Sequence, residues 1–331
     1  MAAGPLPVRT VGEVGSDLVL RSWSRADLPA MAALINERVA ANGGLDEPVT
    51  EATITAVYDH LGSCDPVRDI VVATDGDGTV CGYARTISED MADGSRTYAL
   101  AFEGRGEAHA RMFEWAAAHA LEQAAADPHP DRWIDAGAAD GTERQRLIVE
   151  HGGFVPYAWS AVMVRPTLTD VPDLALPADV LVRPADQADL RAIWEADVEA
   201  FRDHNHQLAH VGEDEWEQFL VEAEPGTGWW QVAWDASGVV GQVRTRVVPG
   251  EAERIGRRRA WTENISTRCD RRGEGIASAL IAASLRQLAA AGFDEAALGV
   301  DLENPTGALV VYERLGYQVV QRHTGYRHPV T

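Results

Sequence analysis

The stretch Asp270-Arg-Arg-Gly-Glu-Gly-Ile-Ala-Ser-Ala-Leu280 sets two arginines and two glycines against the start of an apolar, helix-periodic run. Ile276, Ala277, Leu280, Ile281, Ser284, Leu285 and Leu288 recur at three and four residues, which predicts a helix from about Gly275 to Ala291, with Gly292 as its stop. The β-rich run Ala260–Thr267 precedes the turn. A strand passed through a glycine turn into a helix N-terminus presents unpaired backbone N–H groups and a partial positive charge at one point, the chemistry of a phosphate seat. Gly273 and Gly275 permit close backbone approach, and Arg271 and Arg272 supply charge-assisted hydrogen bonds. By itself the pattern also fits a glycine turn ahead of a core helix. It contains no GxxxxGK[ST] and no GxGxxG after the strand, which argues against a P-loop NTPase and a dinucleotide fold.

A second block follows. Glu295–Asp301 reads as a strand, Asn304-Pro305 as a helix start with proline at its first position, and Ala308–Leu315 as a short helix that carries Tyr312 and stops at Gly316.

The elements that must position these residues occur twice. Leu20-Arg21 with Arg25-Ala-Asp-Leu28 is echoed by Val182-Arg183 with Gln187-Ala-Asp-Leu190, and the hairpin-like Val71–Gly82 by Gln231–Gly241. Val149-Glu-His-Gly-Gly-Phe154 parallels Tyr312-Glu-Arg-Leu-Gly-Tyr317. The proline-containing stretch Pro166–Pro177 is then the linker region, and domains of residues 1–167 and 178–331 are expected, joined by 168–177. Each reads as a mixed, mostly antiparallel α/β sheet flanked by helices.

Composition narrows the function. The 331 residues, 46% apolar and 24% charged, suffice for two domains. A net charge of −22 repels phosphate backbones and anionic lipid, so neither nucleic-acid nor membrane partners are expected, whereas a cationic small molecule is favoured. The run Arg254, Arg257, Arg258, Arg259 is the basic exception and reads as a solvated hairpin turn. The start shows neither signal-peptide nor membrane-spanning character, and the expected compartment is the cytoplasm. Cys64, Cys81 and Cys269, an odd number without CxxC spacing, imply buried or half-buried free thiols. His204 and His206 are too few for a metal site, and no metal is expected. Glu195, Glu199 and Asp203 recur at helical spacing, either as a solvated face or as an acidic face for a cationic amine.

RRGEGIA followed by LENPTGALVVYERLGY resembles the GNAT superfamily of acyl-CoA-dependent N-acyltransferases over Trp261–Tyr326, and more faintly elsewhere. The tandem arrangement, with its closing Thr324-Gly-Tyr326, is similar in architecture to that of mycothiol synthase. The resemblance implies two tandem GNAT-like domains, with acetyl-CoA as cosubstrate and a small-molecule primary amine as acceptor. It implies that Arg272, Gly273, Gly275 and Ala277 seat the pyrophosphate with help from Arg271. It further implies that the strand end at Ile265 and Thr267 pairs with the pantetheine arm, that Asn304 steadies the cofactor, and that Tyr312 protonates the departing thiolate. Glu263 is the expected base, although some members carry a Glu where this chain has Gly299. Two other readings stay open: a non-catalytic acyl-CoA-binding or sensing protein, and mycothiol synthase itself.

The first repeat is expected to be catalytically silent. Laid over Arg272–Ala277, it puts Glu103 at the arginine, and it places Gly141 and Val149 at Asn304 and Tyr312.

Overall fold

The computed structural model describes residues 18–330 apart from 47, 60, 62–63, 203–211, 224–225 and 305–306. Two compact units emerge: one holds the chain up to Trp159 together with residues from His323 onward, the other Ser160–Arg322.

The first unit runs β1 (Val19–Ser22), α1 (Leu28–Ala41), α2 (Glu51–Asp59), β2 (Ile70–Thr74), β3 (Val80–Asp90), β4 (Arg96–Gly104), α3 (Glu107–Ala126), β5 (Arg132–Ala139) and α4 (Glu143–His151), and then enters β6 (Val155–Arg165). Its sheet is antiparallel from β1 to β4, and β4 and β5 pair in parallel. Residues 323–329, from the last strand of the chain, close this sheet antiparallel to β5. Strand side chains alternate between two cores: Val71, Ala73 and Phe102 pack with α3, while Ile70, Val72 and Tyr83 pack with α1 and α2.

The second unit continues with β7 (Leu181–Arg183), α5 (Leu190–Phe201), α6 (Glu213–Ala223), β8 (Gln231–Asp235), β9 (Gly238–Arg246), α7 (Glu251–Ile255), β10 (Arg259–Thr267), α8 (Ile276–Ala290), β11 (Glu295–Asp301), α9 (Ala308–Arg314) and β12 (Gln318–Pro329). Strands β7 to β10 are antiparallel, β10 and β11 parallel, and residues 160–165 of β6 pair antiparallel with β11. Leu280, Ile281, Leu285 and Leu288 of α8 are fully buried against this sheet. Each such side chain stabilises the fold by about 1.5–3 kcal/mol.

The repeat read from the sequence has a physical counterpart in each unit. Arg21 grips Asp27 at 2.7 Å ahead of α1, and Arg183 grips Asp189 at 2.6 Å ahead of α5. The hairpins carry a bulge at the same place, after Ala73 and after Ala233.

Three expectations are corrected. The basic run is solvated only in part: Arg254, in α7, Arg257 and Arg258 are exposed, and Arg258 donates to the carbonyls of Ala291 and Gly292 beyond α8, whereas Arg259 is buried. Arg257 and the buried Arg259 both pair with the buried Glu295, which neutralises charge inside the sheet. Cys269 is exposed, because it lies in the turn after β10, while Cys64 is half-buried and Cys81 buried. The N-cap of α9 is Gly307, so Asn304 sits in the turn before the helix; Pro305 lies outside the described residues. Asp203, His204 and His206 lie outside them as well, whereas Glu195 and Glu199 are solvent-exposed on α5. Among the described residues no group of metal-ligating side chains forms, and no helix is long and apolar enough to cross a membrane.

Candidate active site

Parallel β10 and β11 pair at Arg259, Ala260 and Trp261 and not beyond. On its other edge, β10 carries a bulge between Glu263 and Ser266, where Asn264 adopts φ +44°. A non-glycine residue in that region is uncommon, and a bulge of this kind redirects the strand. The strand end Ile265–Thr267 lines a cavity of about 840 Å³.

The glycine turn forms the next wall. Gly273 and Gly275 adopt φ +81° and +83°, and no atom lies within 4 Å of where a side chain would begin at either. Their backbone therefore faces open space, and Gly275 is the N-cap of α8. Ala277, on the first turn of that helix, also lines the cavity, as do Arg271 and Arg272. Arg271 is held by carboxylates of Asp235, Glu274 and Asp179 at 2.8, 2.9 and 3.2 Å, so its charge is largely answered within the protein. Arg272 donates to the backbone carbonyl of Ala200 at 2.8 Å. It also lines the cavity, and its guanidinium fork suits an anionic ligand.

Asn304 and Tyr312 close the far side. Tyr312 is buried on α9, its ring 6.2 Å from that of Tyr317, and burial pushes its phenol up to about 12. It therefore keeps its proton throughout the neutral range.

Thus Ile265, Thr267, Arg271, Arg272, Gly273, Gly275, Ala277, Asn304 and Tyr312 converge on one cavity. Glu263 does not line it. Its carboxylate accepts two bonds from Arg246 at 3.0 and 3.1 Å, on the sheet face where Arg244 pairs with the buried Asp197 of α5 at 2.8 Å. Sequence reading missed Arg314, an exposed cavity-lining cation with no ion pair among the described residues. Ala308, Val311 and Arg314 follow a three-residue spacing that was available as a signal. Ala200 and Phe201, from the end of α5, gave none, because only the tertiary fold brings them there.

The first unit treats the equivalent region differently. Eight residues, 268–275, separate β10 from α8, but only residues 105–106 separate β4 from α3. Gly104 packs so tightly on α3 that a side chain there would begin 2.5 Å from the amide nitrogen of His109. Where β4 and β5 cease to pair, after Ala99 and Asp135, Arg144 of α4 enters. It donates to the carbonyls of Phe102, Gly137 and Leu100 at 2.6, 2.7 and 3.2 Å and lies 3.7 Å over the ring of Phe102. Glu103 is a buried strand residue held by Arg38 at 2.7 Å.

Comparison with known proteins places this geometry. The profile of the acetyltransferase (GNAT) family matches residues 190–317. Among solved structures, a GCN5-related N-acetyltransferase from Sphaerobacter thermophilus is similar at a TM-score of 0.68 and 22% identity, over 96% of this chain and 97% of that one. A tandem GNAT protein from the clavulanic acid biosynthesis pathway is similar at a TM-score of 0.65 and 13% identity, over 95% and 99%. At these identities the likeness is one of fold. Among curated protein sequences none matches this chain significantly. Residues 190–317, the stretch that matches the acetyltransferase (GNAT) family profile, contain every residue lining the cavity.

Proposed function

We propose that the second unit is an N-acetyltransferase that moves an acetyl group from acetyl-CoA to a primary amine of a small molecule by direct attack. The observation that carries the reading is the convergence of the open glycine turn, Arg272, Asn304 and Tyr312 on one cavity. The residues fit the cosubstrate: backbone at Gly273 and Gly275 faces open space, and Arg272 and Arg314 offer charge to phosphate. Acetyl-CoA supplies an activated acyl thioester when bound.

In this reading Arg272 and the amides from Gly273 to Ala277 hold the pyrophosphate, with Arg271 assisting, and the backbone of Ile265–Thr267 orients the pantetheine arm. Asn304 steadies the cosubstrate. Glu263 takes the proton that the amine loses as its nitrogen bonds to the acyl carbon, and Tyr312 Oη gives the proton that sulfur needs. The raised phenol supports the second role, since a donor must be protonated before it can give. The Glu263 carboxylate is held by Arg246 at 3.0 Å, and movement toward the amine would break that pair.

Turnover is assigned to this unit alone, because the first has a two-residue turn and an arginine where its strands part. The test is release of free thiol from acetyl-CoA on addition of a library of small amines. Tight acetyl-CoA binding without thiol release for any amine would replace the enzyme with a binding protein.

A further inference from the structure

In the first unit, Arg85 of β3 carries a charge that no described side chain answers. Ala73 faces Gly82 and Ala233 faces Gly241 ahead of the same bulge, so Arg85 and Arg244, each three residues past the glycine, are equivalent. Leu20 and Val182 pair with those same alanines, and α1 and α5 each begin eight residues later. Ile35 therefore stands where α5 has Asp197. In the second unit Arg244 bonds to Asp197 at 2.8 Å and lies over the rings of Phe219 and Trp230. Arg85 keeps the aromatic part of that arrangement, with its guanidinium 5.2 Å from the centre of the Tyr58 ring, but Ile35 removes the carboxylate.

Arg85 makes no hydrogen bond or ion pair among the described residues, and its Nε is buried without a partner. The nearby phenols of Tyr58 and Tyr83 make none either. On this face Glu103, cross-strand from Tyr83, is already held by Arg38. The Cys64 thiol is kept neutral by burial, which pushes it up to about 11. The neighbouring hydrophobic side chains include Ile35, and Trp23 edge-on to Tyr58 at 5.1 Å. An unpaired, part-desolvated guanidinium opposes folding, and a similarly sized apolar residue would relieve that penalty. Its planar fork matches a carboxylate, and two protonated phenols beside it are donors only an acceptor-rich ligand would use.

We propose that Arg85 anchors a binding site in the first unit for a small carboxylate with an apolar body, with Tyr58 and Tyr83 as neutral donors. Apolar neighbours disfavour the more strongly hydrated phosphate. Its residues all belong to the first unit, and the proposal does not depend on the function proposed for the second.

The probe is sodium benzoate, with sodium chloride at equal ionic strength and inorganic phosphate as comparators, read by thermal unfolding and calorimetry on the full chain. Benzoate should give a saturable stabilisation with one site per chain, beyond either comparator. Arg85→Leu should fold with an equal or higher unliganded melting point and lose the response. Arg272→Glu, altered in the other unit, should keep it. Arg85→Lys, which keeps the charge without the fork, should weaken benzoate by about tenfold, and decides the matter if the leucine variant does not fold. No saturable benzoate effect, an unchanged response in Arg85→Leu or Arg85→Lys, or its loss in Arg272→Glu would overturn the site. A phosphate response equal to that of benzoate would overturn the carboxylate assignment.

Discussion

Nη2 of Arg272 donates to the carbonyl oxygen of Ala200 at 2.8 Å, so the arginine beside the glycine turn also caps the last turn of α5. Carbonyls at a helix C-terminus lack intrahelical partners, and a cation there opposes the negative end of the dipole. One side chain thus serves both the proposed phosphate seat and the helix whose end forms another wall of the cavity.

Arg272→Glu should therefore weaken acetyl-CoA by at least about 10–100-fold, the worth of one charge-assisted bond, measured by calorimetry. Gly275→Val should weaken it as well, but for a backbone reason. Nothing crowds the position, whereas φ +83° costs a β-branched residue about 1–2 kcal/mol, which urea unfolding will register. Affinity unchanged in both folded variants would remove the phosphate seat.

Tyr312→Phe should leave acetyl-CoA affinity intact and lower turnover by about 10²–10⁴-fold, the usual contribution of a positioned acid. The measurement is kcat under conditions where chemistry limits the rate. Wild-type turnover would exclude Oη as the proton source.

The same phenol predicts an alkaline effect on stability. Tyr312 lies near 12 in the folded chain and near 10 unfolded, so the folded state holds more protons between those values. Its contribution is complete below about pH 10 and is lost as pH rises toward about 12. Urea unfolding from pH 9 to 11.5 should show stability falling less steeply in Tyr312→Phe than in the parent chain. Equal slopes would mean that the phenol is not desolvated.

For Glu263→Gln, activity should fall at neutral pH and recover partly at high pH, where the amine loses its own proton. Arg246→Leu removes the partner that fixes where this carboxylate sits and should also change kcat. A rate profile unmoved by either change would assign the base elsewhere.

Acetyl-CoA should titrate to one site per chain. Arg144→Ala should not create a second, since only residues 105–106 link β4 to α3. It should instead destabilise the protein by about 1–3 kcal/mol for each carbonyl left unsatisfied and buried. Two comparable sites would show that the first unit binds.

Local spacing determined much of what the sequence disclosed. Gly273, Gly275 and Ala277 lie within one turn and one helix start, and Asn304 and Tyr312 within the next strand–turn–helix, so they stood out as candidates by pattern, and the fold puts them on one cavity. The repeat was legible for the same reason, since Arg21–Asp27 and Arg183–Asp189 are contacts at short range. Contacts between residues far apart in the chain left no such trace. The glycines before α3 and α8 align well, yet the six-residue difference in turn length between 105–106 and 268–275 appears only once the strand ends are fixed by pairing. That Arg271 is held by Asp179 and Asp235, that Arg144 fills the parting of β4 and β5, and that Ile35 leaves Arg85 without the carboxylate Asp197 gives Arg244 all depend on which elements meet. A charged side chain has the same letter whether it is paired or not, and its partner is chosen by packing, so its role was decided only in the folded chain.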